Sequence, residues 1–130
     1  YIPEHLLTRE FLQEAKQLLS ETGVLTSNTF SNSGLYAYES ATYYDVFDDF
    51  YNVRNNKNEN RIILTGKQPL PDMKTLSRHL PELDQRLKPY GVDIKEIFAN
   101  MTRASLERDW PEDTRVLTDQ YSPANLLNID

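Results

Sequence analysis

The chain contains no cysteine and only two histidines among its 130 residues. Without thiols it cannot form disulfides, thiolate metal sites or a cysteine nucleophile. The two histidines, His5 and His79, lie far apart in the sequence and match no metal-binding signature, so we expect structural roles for both. The absence of cysteine does not fix the compartment, and we take a cytoplasmic location as the default.

Glycine and long apolar runs are also scarce. The four glycines form no phosphate-binding loop, and the chain lacks a Walker lysine, a G-x-S-x-G elbow and a metal-spaced histidine pair. The apolar runs are a few residues long, whereas a bilayer-spanning helix needs roughly 20. The sequence therefore predicts no self-contained catalytic motif, no metal site and no membrane contact by this segment.

Positive charge is in deficit. Lysine and arginine total 14 against 20 acidic residues, which gives a net charge of -6. No basic cluster offers a face to a phosphate backbone, so the charge argues against nucleic acid as a partner. An acidic surface tolerates and can steer a cationic ligand, although solubility alone also explains such a balance.

The first thirty residues combine a helix with a strand. Thr8 suits an N-cap, apolar residues recur at helical spacing from Phe11 to Leu19, and Gly23 suits a C-terminal cap. The uncharged run Val24–Phe30 predicts a strand buried on both faces. A helix that leads into such a strand is the second half of a βαβ unit, so we expect a further strand upstream of Thr8 in the natural polypeptide.

The middle of the chain predicts a second helix and a hairpin. Aromatic residues at helical spacing indicate a tyrosine-rich amphipathic helix over about residues 37–49. Two β-rich runs, 51–54 and 61–65, flank an asparagine-rich loop that favours turn geometry, which indicates an antiparallel hairpin. The element order is typical of the α/β class.

Helix signals dominate the last third. Asp72, Pro81 and Asp93 each stand where a helix should begin. Residues 102–130 show weak periodicity, and we interpret them as loop with at most a short terminal helix. The predicted organisation is residues 1–68 as part of an α/β domain and residues 69–130 as a helical appendage and tail.

Function is expected where strands end, because open α/β sheets bind ligands beyond the carboxyl ends of their strands. Two segments qualify, Tyr1–Leu6 after the expected upstream strand and Ser27–Ser33 after the predicted one. Asn28 carries a polar amide near the end of an otherwise apolar strand. It either faces a ligand or caps a buried backbone group.

Five segments together resemble a known family, the spermidine synthase-like aminopropyltransferases, over what would be its C-terminal half. The resemblance implies the Rossmann-like fold of S-adenosylmethionine-dependent methyltransferases, ending in an antiparallel hairpin plus the helical appendage. The segments are IPEHLLTREF, GVLTSNTFS, LYAYESATYYDVF, NRIILTG and RVLTDQYSP.

The resemblance also implies a reaction and its partners. An aminopropyl group would pass from decarboxylated S-adenosylmethionine, a co-substrate, to putrescine or a related small cationic amine. The attacking amine must be neutral, so a carboxylate has to accept its proton. No cofactor is expected to be held by this segment alone, and a homodimer is compatible with the resemblance.

Site residues follow from the resemblance by position. Ile2, Pro3 and Glu4 correspond to a loop against the adenine, and Asn28 stands where spermidine synthases usually have a glutamine near the amine. In the TDQYSP motif, Asp119 and Tyr121 either approach the same pocket or tie the tail down by hydrogen bonds.

The chain departs from the family in two respects. The glycine-rich cofactor loop, the ribose-binding acid and the proton-accepting aspartate would all lie upstream of Tyr1, so we expect no catalysis from these residues alone. The hairpin carries Tyr51-Asn52-Val53-Arg54 in place of Tyr-Pro-Ser/Thr-Gly. Two alternatives therefore stay open, a methyltransferase on the same fold and a non-catalytic dimerisation or binding module.

Overall fold

A four-stranded sheet with helices on both of its faces forms the centre of the fold. The computed structural model describes residues 4–55 and 57–121. The strands lie in the order β1-β3-β2-β4. Their bounds are β1 Val24–Phe30, β2 Tyr51–Arg54, β3 Asn60–Gly66 and β4 Met101–Arg103. The helices are α1 Arg9–Leu18, α2 Tyr36–Phe47, α3 Met73–Ser77, α4 Leu80–Leu87 and α5 Ile94–Ala99.

The start of α1 confirms the predicted cap. The Thr8 hydroxyl accepts a hydrogen bond from the Phe11 backbone N–H at 3.3 Å, which satisfies one of the free donors of the first turn. The helix stops earlier than predicted, at Leu18, whose side chain is 87% exposed. Gly23 therefore lies in the turn that follows and does not cap the helix.

The bounds of β1 match the prediction, but its predicted burial on both faces is wrong. Burial alternates along the strand, from Val24 at 66% exposed to the fully buried Thr29. Within the described residues β1 pairs with β3 alone. The lack of charge misled the prediction, because threonine and serine suit an exposed strand face as well as a buried one.

The predicted hairpin is confirmed, and it sits at the centre of the sheet. β3 pairs antiparallel with β2 on one side and with β1 on the other, so β1 and β2 run in the same direction. The chain is thus a mixture of helices and strands, as predicted. Every pairing among the described strands is antiparallel.

Residues 102–130 were predicted as loop, and this is wrong for Thr102 and Arg103. With Met101 they form β4, which pairs antiparallel with β2. Three residues are too few to show a strand period, so the pairing partner specifies the strand and the local sequence does not.

The core lies between the inner face of the sheet and the pair α1 and α2. Trp110 stacks on Phe50 with ring centroids 5.7 Å apart, and the segment after β4 returns over the helices. Leu117, fully buried, accepts a hydrogen bond from the Arg9 N–H at 2.8 Å. The tail up to Tyr121 therefore lies on the inner face of the sheet, against α1 and α2.

The helices α3 to α5 lie on the outer face. The predicted caps are confirmed, since Asp72 accepts from the Thr75 N–H at 2.7 Å and Asp93 from the Glu96 N–H at 3.2 Å. No residue of these three helices is buried. In the part of the chain described, no helix has the length and apolar character needed to cross a membrane.

Asp49, just before β2, joins the sheet to the segment that follows β4. Its carboxylate accepts from the Arg103 guanidinium at 2.6 Å and from the Ser105 hydroxyl at 2.7 Å. Burial is the largest effect on its pKa and raises it. Hydrogen bonds from Ser105, Arg103 and the Phe50 N–H together outweigh burial, so the pKa lies below the ordinary 3.8.

We predict that Asp49→Asn lowers the free energy of unfolding by about 1–3 kcal/mol at pH 7, because the charged acceptor of these bonds is lost. With a lowered folded pKa, the stabilisation is present above pH 3.8 and disappears as the pH falls through the folded value. Urea unfolding at pH 7 and in acid measures both effects.

The neighbouring exposed Asp48 provides the control for that experiment. It has a left-handed backbone with φ of 69°, which asparagine also adopts readily, so Asp48→Asn should leave stability nearly unchanged. Equal effects of the two substitutions would contradict the role given to Asp49.

Candidate functional site

The carboxyl ends of β1 and β2 meet at one edge of the sheet. Phe30 at the end of β1 is paired with Asn60, and Arg54 at the end of β2 is paired with Arg61. Ligands of α/β sheets bind beyond this kind of edge. We call it the ligand edge, and its inner side is unusually polar.

A fully buried arginine organises the ligand edge. Arg61 donates from Nε to the Thr29 hydroxyl at 2.5 Å and from Nη1 to the Ser40 hydroxyl at 2.7 Å. Its Nη2 lies 3.3 Å from the Glu39 carboxylate. The guanidinium also lies 4.0 Å from the centre of the Tyr36 ring. We call these five residues the Arg61 clamp.

The ion pair within the clamp is shielded from water. Burial raises the pKa of Glu39, and the Arg61 charge opposes that rise. Burial lowers the pKa of Arg61, although a guanidinium stays cationic in proteins. Each charge depends on the other, so removal of either one leaves an uncompensated buried charge.

A second polar cluster lies next to the clamp and reaches the surface. One oxygen of Asp109 accepts from the Tyr36 hydroxyl at 2.5 Å, from Asn52 Nδ2 at 3.2 Å and from Arg54 at 3.5 Å. A carboxylate only accepts, which fixes the orientation of the Asn52 amide. The buried Asn52 Oδ1 has no partner in the described part of the chain.

The pKa of the Tyr36 hydroxyl is raised above its ordinary value of 10.0 in this setting. Burial raises its pKa first, the hydrogen bond to Asp109 raises it further, and the bond from Asn52 opposes them. Tyr36 thereby links the buried clamp to a surface carboxylate.

A polar cavity lies next to these clusters, and an apolar cavity lies on the outer face towards the opposite end of the sheet, at Val24 and Gly66. The polar cavity, of about 310 Å³, lies beside Asp109 and is lined by side chains of both charges. The larger apolar cavity, of about 390 Å³, separates the outer face of the sheet, including Leu64, from helices α4 and α5. Among the described residues no acidic or histidine group has the composition of a metal site.

Asn28 lies at the ligand edge but on the other face of the sheet. It is paired with Ile62, whereas the next residue, Thr29, is paired with Arg61 and points inward. Successive side chains of a strand point to opposite faces, so Asn28 is exposed on the outer face. The location at the strand end is as expected, and its role stays a prediction.

Asp119 and Tyr121 lie on the inner face of the sheet, next to helices α1 and α2. The Asp119 N–H donates to the Glu10 carboxylate at 3.0 Å, and the Tyr121 ring lies 6.3 Å from that of Tyr38. No described contact joins either residue to Asn28. Hydrogen bonds do hold the tail in place, while a role in substrate binding is untested.

Of the three residues expected near the adenine, Glu4 alone belongs to the described part of the chain. Ile2 and Pro3 lie outside the described residues, and Glu4 opens a short 3₁₀ turn, Glu4–Leu6. Their roles stay predictions.

Sequence reasoning missed the residues that organise the edge. Arg61 lies two and four residues before Ile63 and Thr65 in β3, so a period-2 analysis of that strand would have placed all three on the inner face. Asp109 gave no local signal, because its contact with Tyr36 spans 73 positions of the sequence.

A comparison with curated proteins found a clear relative. The chain is 52% identical over 128 residues to the polyamine aminopropyltransferase of Vibrio vulnificus (strain CMCP6). The resemblance to the aminopropyltransferases is thereby confirmed. The match covers 98% of this chain and 42% of that aminopropyltransferase. No protein-family model and no solved structure matches the chain.

We predict that Asp109→Asn lowers the pKa of Tyr36 towards its ordinary value of 10.0, because the carboxylate that raises it is removed. NMR of ¹³Cζ-labelled tyrosine measures the shift, with Tyr36→Phe assigning the signal. The exposed Asp113 provides a control, and Asp113→Asn should leave this pKa unchanged. A Tyr36 signal that titrates identically in both variants would contradict the assignment.

Proposed function

We propose that the chain forms part of a polyamine aminopropyltransferase, which moves an aminopropyl group from decarboxylated S-adenosylmethionine to an amine such as putrescine. The observation that carries the proposal is the 52% identity along nearly the whole chain. The chain spans 42% of the length of that relative, and the activity proposed here is that of the natural polypeptide.

The proposed reaction is a displacement at carbon. The amine nitrogen attacks the methylene carbon next to the sulfonium, the new C–N bond forms, and the C–S bond breaks to release a neutral thioether. The attacking nitrogen loses a proton, which a carboxylate accepts. Orientation of the two substrates supplies much of the rate enhancement in such a step.

In this proposal the described residues contribute to substrate binding. Asn28 accepts a hydrogen bond from the amine at the outer side of the ligand edge, and Asp119 and Tyr121, on the inner face, are proposed as further substrate-binding residues. Glu4 is proposed to contact the adenine, together with Ile2 and Pro3, which fall outside the described residues. The support for Asn28 is its exposed position next to the end of β1.

We further propose a Rossmann-like sheet of the methyltransferase type. β1 and β2 run in the same direction with β3 antiparallel between them, and β1 has a second edge that no described strand covers. Proteins normally cover or blunt such an edge. A parallel strand from the rest of the natural polypeptide would pair there.

The test is an assay of the polypeptide as its gene encodes it. With decarboxylated S-adenosylmethionine and putrescine we expect spermidine and methylthioadenosine in equal amounts, measured by mass spectrometry. S-adenosylmethionine serves as the alternative donor. Methyl transfer from it, or no turnover with either donor, would overturn the proposal.

A substitution at Asn28 tests the binding role. Asn28→Ala should raise KM for putrescine about tenfold, the effect of losing one hydrogen bond. Thr26→Ala changes the same face of β1 two residues further from the edge and should leave KM unchanged. Equal KM values for the two variants would show that Asn28 does not bind the amine.

A further inference from the structure

Arg61 connects three elements at the ligand edge. Besides its bond from Nε, it accepts at its own carbonyl a hydrogen bond from the Thr29 hydroxyl at 3.1 Å, so the two residues are held by two bonds. Its other nitrogens reach Ser40 and Glu39 on α2. β1, β3 and α2 are thus fixed relative to one another by one buried side chain.

We propose that Arg61 is a positioning residue that sets the carboxyl end of β1, and with it the loop 31–35, for substrate binding. The inference rests on the proposed function, which assigns the ligand to this edge. Arg61 itself is fully buried and acts through its neighbours without touching the substrate.

Asn28 immediately precedes Thr29 in β1. Because successive side chains of a strand point to opposite faces, the inward bonds of Thr29 fix the backbone from which Asn28 points outward. Beyond the strand, the loop has one further anchor at Glu59, which bonds the Ser31 N–H and the Asn32 amide, each at 2.7 Å. Those bonds lie in solvent, where they resist motion less than buried ones.

The geometry requires arginine in particular. A guanidinium presents five donors in a rigid fork, and three directions of that fork are used here. A lysine would keep the charge opposite Glu39, but its three donors sit on one nitrogen and could not reproduce bonds that leave Arg61 from three different nitrogens. Buried ion pairs are poor sources of stability compared with apolar packing, so precise placement of the edge is the benefit that this arrangement provides.

The opposite end of the sheet offers a matched control. Arg103 also pairs with a carboxylate, Asp49, at 2.6 Å, and its Nη2 lies 3.4 Å from the Leu70 carbonyl. This pair lies at the start of β2, away from the ligand edge. A lysine there should affect stability without affecting substrate binding.

The experiment compares Arg61→Lys, Thr29→Val and Arg103→Lys in the polypeptide as its gene encodes it. We expect the first two to raise KM for putrescine about tenfold, the effect of displacing one hydrogen bond, with a much smaller change in kcat. Arg103→Lys should lower the unfolding midpoint and leave KM unchanged. Thr29→Val keeps the side-chain shape, so it decides the question if Arg61→Lys does not fold.

Hydrogen exchange of the same proteins separates the two proposals. Amides 28–35 should exchange faster in Arg61→Lys and Thr29→Val but not in Arg103→Lys. If the wild-type protein transfers no aminopropyl group, the proposed function fails whatever the exchange shows. If it is active and the folded Thr29→Val protein has unchanged KM and exchange, the positioning role of Arg61 is overturned.

Discussion

The buried guanidinium of Arg61 is the interaction on which the arrangement of this edge depends. β3 is one of the two inner strands of the sheet, and Arg61 stands near its beginning, where the strands on either side of it, β1 and β2, end. Its bonds to Thr29 and Ser40 tie a strand and a helix to this point. Elsewhere on the inner face, apolar packing around Phe50, Ile63 and Trp110 holds the sheet and the helices together.

The two faces of the sheet differ in how tightly they are packed. On the inner face, α1, α2 and the tail around Leu117 exclude water and leave a buried polar network. On the outer face, helices α3 to α5 contribute no buried residue and stand across an apolar cavity from β3. Rigid placement of a site is therefore available on the inner face, with Asn28 presented to the outer one.

Features with local causes were predictable from the sequence. The caps at Thr8, Asp72 and Asp93, the bounds of β1 and the hairpin all depend on residues close together in the chain. Features with distant causes were not. The pairing of β4, the exposure of β1 and the bond between Tyr36 and Asp109 depend on which segments meet after folding. The family resemblance was confirmed because it combines many positions of the sequence. For the site, the sequence predicted a location at the end of a strand but not the residues that organise it.

The most direct test of the account is a crystal structure of the natural polypeptide with decarboxylated S-adenosylmethionine and an amine bound. The account predicts a parallel strand paired with the second edge of β1 and the amine beside Asn28 at the ligand edge. An amine bound away from Asn28, with no strand paired to the second edge of β1, would contradict it.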